Sequence, residues 1–148
     1  MLIRSSQNYT CTANFQKGFI VPVGTPISNL EKHRGYATFV DVKTGLNHKI
    51  NFERDHHPNK TSEEIFDRIF TTKTYEELTQ GLSKTDIALI QNGEVKKGMS
   101  KAAVLISLGY PPESRTPTTH VKMWRFWKHR NHSYVVHFQG ENVSKIVE

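Results

Sequence analysis

Residues 121–140, VKMWRFWKHRNHSYVVHFQG, gather the side chains of this chain best able to do chemistry. Trp124 and Trp127 alternate with Lys122, Arg125, Lys128 and Arg130, and His129, His132 and His137 lie close by. Three kinds of chemistry use such residues. Indoles between cations stack on the bases of a single-stranded nucleic acid, imidazoles ligate metals, and a large aromatic beside arginine is the composition of a protein-interface hot spot. For a metal, His129 with His137, or the adjacent His56 and His57, could supply imidazoles. No His-x-x-x-His on a helix and no companion carboxylate at ligand spacing accompanies them, so neither a metal nor a cofactor is expected.

Catalytic patterns are missing from the sequence. It has no Gly-x-Ser-x-Gly elbow, no glycine-rich phosphate loop and no paired-carboxylate motif. Cys11 is the single cysteine, which excludes an internal disulfide and any multi-cysteine metal knuckle. Its flanks, YTCT, read as a half-buried strand thiol rather than a nucleophile or a lipidated cysteine. No enzymatic activity is expected.

Strands must position the 121–140 residues, and side chains alternate across a strand. Trp124 and Phe126 share a face with Tyr134, Val136 and Phe138 only if the hairpin keeps an odd count. A three-residue loop of Arg130, Asn131 and His132 then pairs Phe126 with Val136 and Arg125 with His137. The even alternative buries Arg125, which costs several kcal/mol, whereas each large aromatic contributes about 2 to 3 kcal/mol on burial. The expected outer face therefore offers Arg125, Trp127, His129, Val135 and His137, with Trp127 open to a protein partner. Its structural alternative is a Trp127 covered by the N-terminal unit or a connecting helix.

Two helices should cover the inner face. One runs from about Thr85 to Asn92, turns Ile87 and Ile90 inward and ends at Gly93. The next begins after Ser100, carries a Met99 and Val104 staple, buries Ala103, Val104 and Leu108, and ends at Gly109. Before them, Thr61-x-x-Glu64 and Thr74-x-x-Glu77 are capping boxes; the first precedes Ile65, Phe66, Ile69 and Phe70 on one helical face. Residues 55–62, DHHPNKTS, read as a boundary. The first 58 residues are β in pattern, with strands in LIRSSQNYTCTANF, FIVPVGTPISNL, GYATFVDV and LNHKINFE and turns at Gly24 and Gly45.

At 148 residues and 36% hydrophobic content the chain can bury a modest core, and its formal charge of +6 favours anionic partners. The longest apolar run, AAVLIS at 102–107, is far short of a bilayer span, and nothing near Met1 reads as a signal-peptide apolar region. Asn-x-Ser/Thr triplets begin at Asn8, Asn59, Asn131 and Asn142; they matter only in a secreted eukaryotic protein, which nothing else in the sequence supports.

The ordered set of Gly98, Met99 and Ser100, then Leu108, Gly109 and Pro111, then Trp124 and Phe126, Phe138 and Val143 to Ile146 resembles the BamE family, also called the SmpA/OmlA domain. The resemblance covers about 65 C-terminal residues. It implies two helices packed on a three-stranded antiparallel sheet, in a non-enzymatic, periplasmic or outer-membrane-associated module of the bacterial envelope that binds other proteins. Residues 1–58 are similar, more loosely, to a bacterial SH3-like barrel, an addition to the short lipoprotein type. The expected fold is thus α+β: an SH3-like unit at 1–58, a helical connector at 59–82 and a BamE-like domain at 83–148. The expected partner is an envelope protein, with an anionic lipid surface as a second class. The alternative is binding of single-stranded nucleic acid or another anionic polymer through 121–139.

Overall fold

The turn Pro22-Val23-Gly24-Thr25-Pro26 shows how local chemistry sets the first unit. Thr25 N–H donates to Pro22 O at 3.2 Å and Gly24 takes φ 76°, the left-handed region that glycine tolerates. A Cβ on Gly24 would lie 2.8 Å from Tyr75 Cδ2, so the close approach of another element also requires glycine there. The computed structural model describes residues 1–3, 11–13 and 19–148. Most of the strand expected in LIRSSQNYTCTANF, and the triplet at Asn8, lie outside them; within that stretch β1 is Leu2–Ile3, and Cys11 bridges Asn51.

After the turn come β2 (Ile27–Lys32), β3 (Tyr36–Asp41) and β4 (Asn47–Asn51), an antiparallel sheet in that order. The expected turn after β3 forms around Asp41, whose carboxylate accepts from Lys43 N–H at 2.8 Å. A 3-10 turn at Arg54–His56 leads to α1 (Ser62–Ile69), β5 (Phe70–Thr71) and α2 (Tyr75–Thr79). Both capping boxes form as expected, with Thr61 and Thr74 accepting from Glu64 and Glu77 N–H at 3.2 Å. Phe70 is buried, but in β5 paired with β1 rather than on the helix, which stops at Ile69.

Helices α3 (Lys84–Gln91) and α4 (Lys101–Leu108) are capped by Ser83 and Ser100, and Gly109 ends α4 at φ 80°. Strands β6 (Met123–His129), β7 (His132–Gln139) and β8 (Asn142–Val147) form the second antiparallel sheet in chain order. The described residues thus form a mixed α+β fold with two three-stranded antiparallel sheets and four α-helices.

Two apolar clusters hold these layers together. Helix α1 lays Phe66 and Ile69 against Ile27, Phe39 and Ile50 of the first sheet and Val21 just before it. The second joins Ile90, Met99, Val104 and Leu108 of the α3 and α4 region to Trp124, Phe126, Tyr134, Val136 and Phe138, with Tyr75 and Leu78 of α2 packed against it. Val23 enters this second cluster although Val21, two residues earlier, belongs to the first. An extended segment points residues two apart to the same side; the turn at 22–26 breaks that rule and joins the two clusters.

Trp124 is fully buried, and its indole N–H donates to Val121 O at 3.2 Å. Trp124→Ala is therefore expected to lower unfolding free energy by about 3 to 5 kcal/mol in urea titration, with an unchanged slope if the fold survives.

Candidate functional site

The β6-β7 hairpin keeps the expected faces by a different route. Its register pairs Trp124 with Val136, Arg125 with Val135, Phe126 with Tyr134 and Trp127 with Ser133. The expected pairs Phe126 with Val136 and Arg125 with His137 are thus corrected by two residues. The turn is shorter than expected, Arg130 and Asn131, and an irregularity between Trp127 and His129 supplies the odd residue that preserves the parity. Trp124, Phe126, Tyr134, Val136 and Phe138 are all buried, as the alternation requires.

The same irregularity moves His129. It pairs with His132, whose position alternates with Tyr134 on the core-facing side, and the two rings meet edge to face at 5.4 Å. His129 therefore leaves the outer face on which it was expected, and His137, opposite Met123, lies at the far end of the strands from it. The structure does not bring those two imidazoles together. No group of three or more His, Cys, Asp or Glu side chains able to hold a metal is present among the described residues.

Trp127 is also corrected. It is half-buried rather than open, because the 3-10 turn sets the His56 ring edge-on against the indole at 5.9 Å. Burial and the neighbouring His57 lower the pKa of His56, favouring the neutral ring at this contact. Arg125 is half-buried too: its guanidinium donates to Ser133 Oγ at 2.7 Å, and its N–H to Thr116 Oγ1 at 2.9 Å.

What remains accessible on the outer face is a two-row patch. Met123, His137 and Lys145 form one row across the three strands, and Arg125, Val135 and Val147 the other. Met123 is 56% and Val147 43% exposed. Of the five expected interface residues, Arg125, Val135 and His137 share this patch. Met123, Lys145 and Val147 were missed, although cross-strand pairing implies them once the register is known.

A second arrangement went unread in the sequence. His57 is 3% exposed; its Nδ1 lies 2.6 Å from Glu113 Oε2 and its Nε2 3.0 Å from Thr12 O. Both partners are acceptors, so a ring protonated on both nitrogens satisfies both bonds. The other Glu113 oxygen accepts from Arg68 of α1, whose guanidinium lies over the Tyr110 ring at 4.5 Å. Burial opposes ionisation of Glu113, but the bonds from His57 and Arg68 outweigh it and hold the carboxyl at about 2. With its ring nitrogens occupied by Glu113 and Thr12 O, His57 offers no open nitrogen to act as a base. The arrangement is a structural ion cluster, and only the histidine doublet at 56–57 hinted at it.

The sign of its pH dependence follows from the depressed carboxyl. Glu113 titrates at an ordinary 4.5 unfolded and at about 2 folded, so its stabilisation is complete above pH 4.5 and is lost as pH falls toward 2. Glu113→Gln is expected to cost about 3 kcal/mol at neutral pH, because it leaves the buried His57 and the partly buried Arg68 without their anion. Urea titrations across that window should also show a flatter acid limb for the variant than for the parent chain.

No family model, curated protein or solved structure matches this chain, so its function rests on these surfaces.

Proposed function

We propose that this protein is a non-catalytic binding module of a bacterial cell envelope that docks an acidic partner protein on the outer face of β6, β7 and β8. The observation that carries the reading is the patch itself: exposed Met123 and Val147 beside Val135, with Arg125, His137 and Lys145 interleaved and no carboxylate in either row. Aliphatic anchors remove apolar area from water on docking, while surrounding cations select the charge of the partner. The envelope setting, periplasmic or outer-membrane associated, comes from the BamE-like order of two helices followed by three antiparallel strands. Within it, the first unit is read as an SH3-like barrel, supported by the β2-β3-β4 meander and the β1-β5 pair. No helix among the described residues is long and apolar enough to cross a membrane.

Binding of single-stranded nucleic acid through the same hairpin has less support. Stacking needs open aromatic faces, yet Trp124, Phe126 and Tyr134 are buried and Trp127 is half-covered by His56.

A photo-crosslinking side chain placed in turn at Met123, at Lys145 and at exposed Val42, which lies on the first unit, distinguishes these outcomes. A discrete acidic protein joined at 123 and 145 but not at 42 is expected, with the adduct lost on Val147→Glu. Identical adducts at all three positions, or nucleic acid in their place, would refute the docking surface.

A further inference from the structure

We infer that a cleft on the first unit, between the β2-β3 turn and the start of α1, is a binding site for a phosphate ester, gripped by Arg34 and Arg54 with Lys32 and Lys60 beside them. The cleft has a volume of about 1050 Å³, at the upper end of ordinary ligand cavities. Its geometry is set by backbone: Phe52 N–H donates to Gly35 O at 2.9 Å, which fixes the β2-β3 turn against the segment leading to Arg54. Glu63 is the one carboxylate among its described lining residues, against four permanent cations.

The cations are not equally engaged. Lys32 reaches Asp67 at 2.9 Å and Lys60 reaches Glu64 at 3.7 Å. Exposed pairs of this kind are weak and screened by salt, so a ligand can compete for both lysines. Arg34 and Arg54 are exposed and have no ion pair among the described residues. A guanidinium presents a planar fork of donors that matches phosphate oxygens two at a time. Two such forks and two ammonium groups suit a group carrying more than one negative charge, which favours phosphate over a lone carboxylate. Phe52, stacked on the His57 ring at 5.8 Å and 15°, offers an apolar wall for the organic part of the ester. The cleft is separate from the β6-β8 face, so each site stands or falls alone.

Titration of the full chain with inorganic pyrophosphate, followed by amide NMR shifts at low salt, tests the site. Half-saturation below about 1 mM is expected, with the largest shifts around Gly35 and Arg54. The Arg34→Gln, Arg54→Gln double variant should weaken binding at least about tenfold and leave the thermal midpoint unchanged, since both side chains are exposed. Sedimentation with phosphatidylglycerol vesicles, against phosphatidylcholine vesicles, separates two sources of the same chemistry. Capture by the anionic vesicles that the double variant loses assigns the phosphate to a lipid headgroup; pyrophosphate binding without vesicle capture assigns it to a soluble ester. The proposal is overturned if neither probe binds, if the double variant retains binding, or if citrate binds as tightly as pyrophosphate.

Discussion

The carboxylate of Glu113 ties together stretches of chain that lie far apart in sequence: Arg68 on α1 directly, and, through His57, the backbone carbonyl of Thr12. Taking the ionised Glu113 carboxylate largely out of water is costly, and the cost is offset only when its oxygens find donors such as Arg68 and His57. The Tyr110 face against Arg68 and the bond from Glu53 N–H to Thr12 Oγ1 at 2.9 Å complete the cluster. The cluster stands where α1, the 3-10 turn and the loop before β6 converge. It fixes the 3-10 turn, and that turn carries His56 onto Trp127 on one side and Arg54 into the cation-lined cleft on the other. Ser114 N–H donating to His56 O at 3.0 Å extends the same tie by one residue in each strand of the contact. The cover over Trp127 and the place of Arg54 in the cleft thus trace to one carboxylate.

The second sheet divides its side chains by alternation. Its inner row is apolar enough to anchor α3 and α4, and its outer row is free to carry charge. An extra residue near Lys128 decides how far that division extends. Up to Trp127 the alternation is regular; beyond it His129 joins His132 on the core side, while Lys128 pairs with Glu148 and lies over the Tyr134 ring at 5.7 Å. The base of the hairpin tip is therefore tied to the end of β8 by charge, while His129, Arg130 and Asn131 stay exposed. The accessible face shifts toward Met123, His137 and Lys145, away from the turn.

A surface of this kind differs in kind from the cleft on the first unit. The sheet face combines aliphatic groups with cations and is shallow, which suits a protein surface of matching shape and opposite charge. The cleft is concave and dominated by cations, which suits a compact anion. An excess of positive charge, +6 over the chain, does not by itself separate these uses; the shape around the charges does.

Much of the local structure is legible without coordinates. The caps at Thr61, Thr74 and Ser100, the stop at Gly109, the turns at Gly24 and Gly45 and the burial of Trp124, Phe126, Tyr134, Val136 and Phe138 follow from interactions within a few residues or from strand periodicity. Register, the cover over Trp127, the displacement of His129, the Glu113 cluster and the cleft at Arg34 and Arg54 do not. Each depends on which distant segments meet. A two-residue shift of pairing keeps every face unchanged, so hydrophobic pattern cannot detect it, and a charge 56 residues away from its partner leaves no periodic trace. Short-range sterics and alternation settled the elements and their inner faces from the sequence alone; the long-range meeting of charged side chains, visible only in the folded chain, settled what those elements present to the outside.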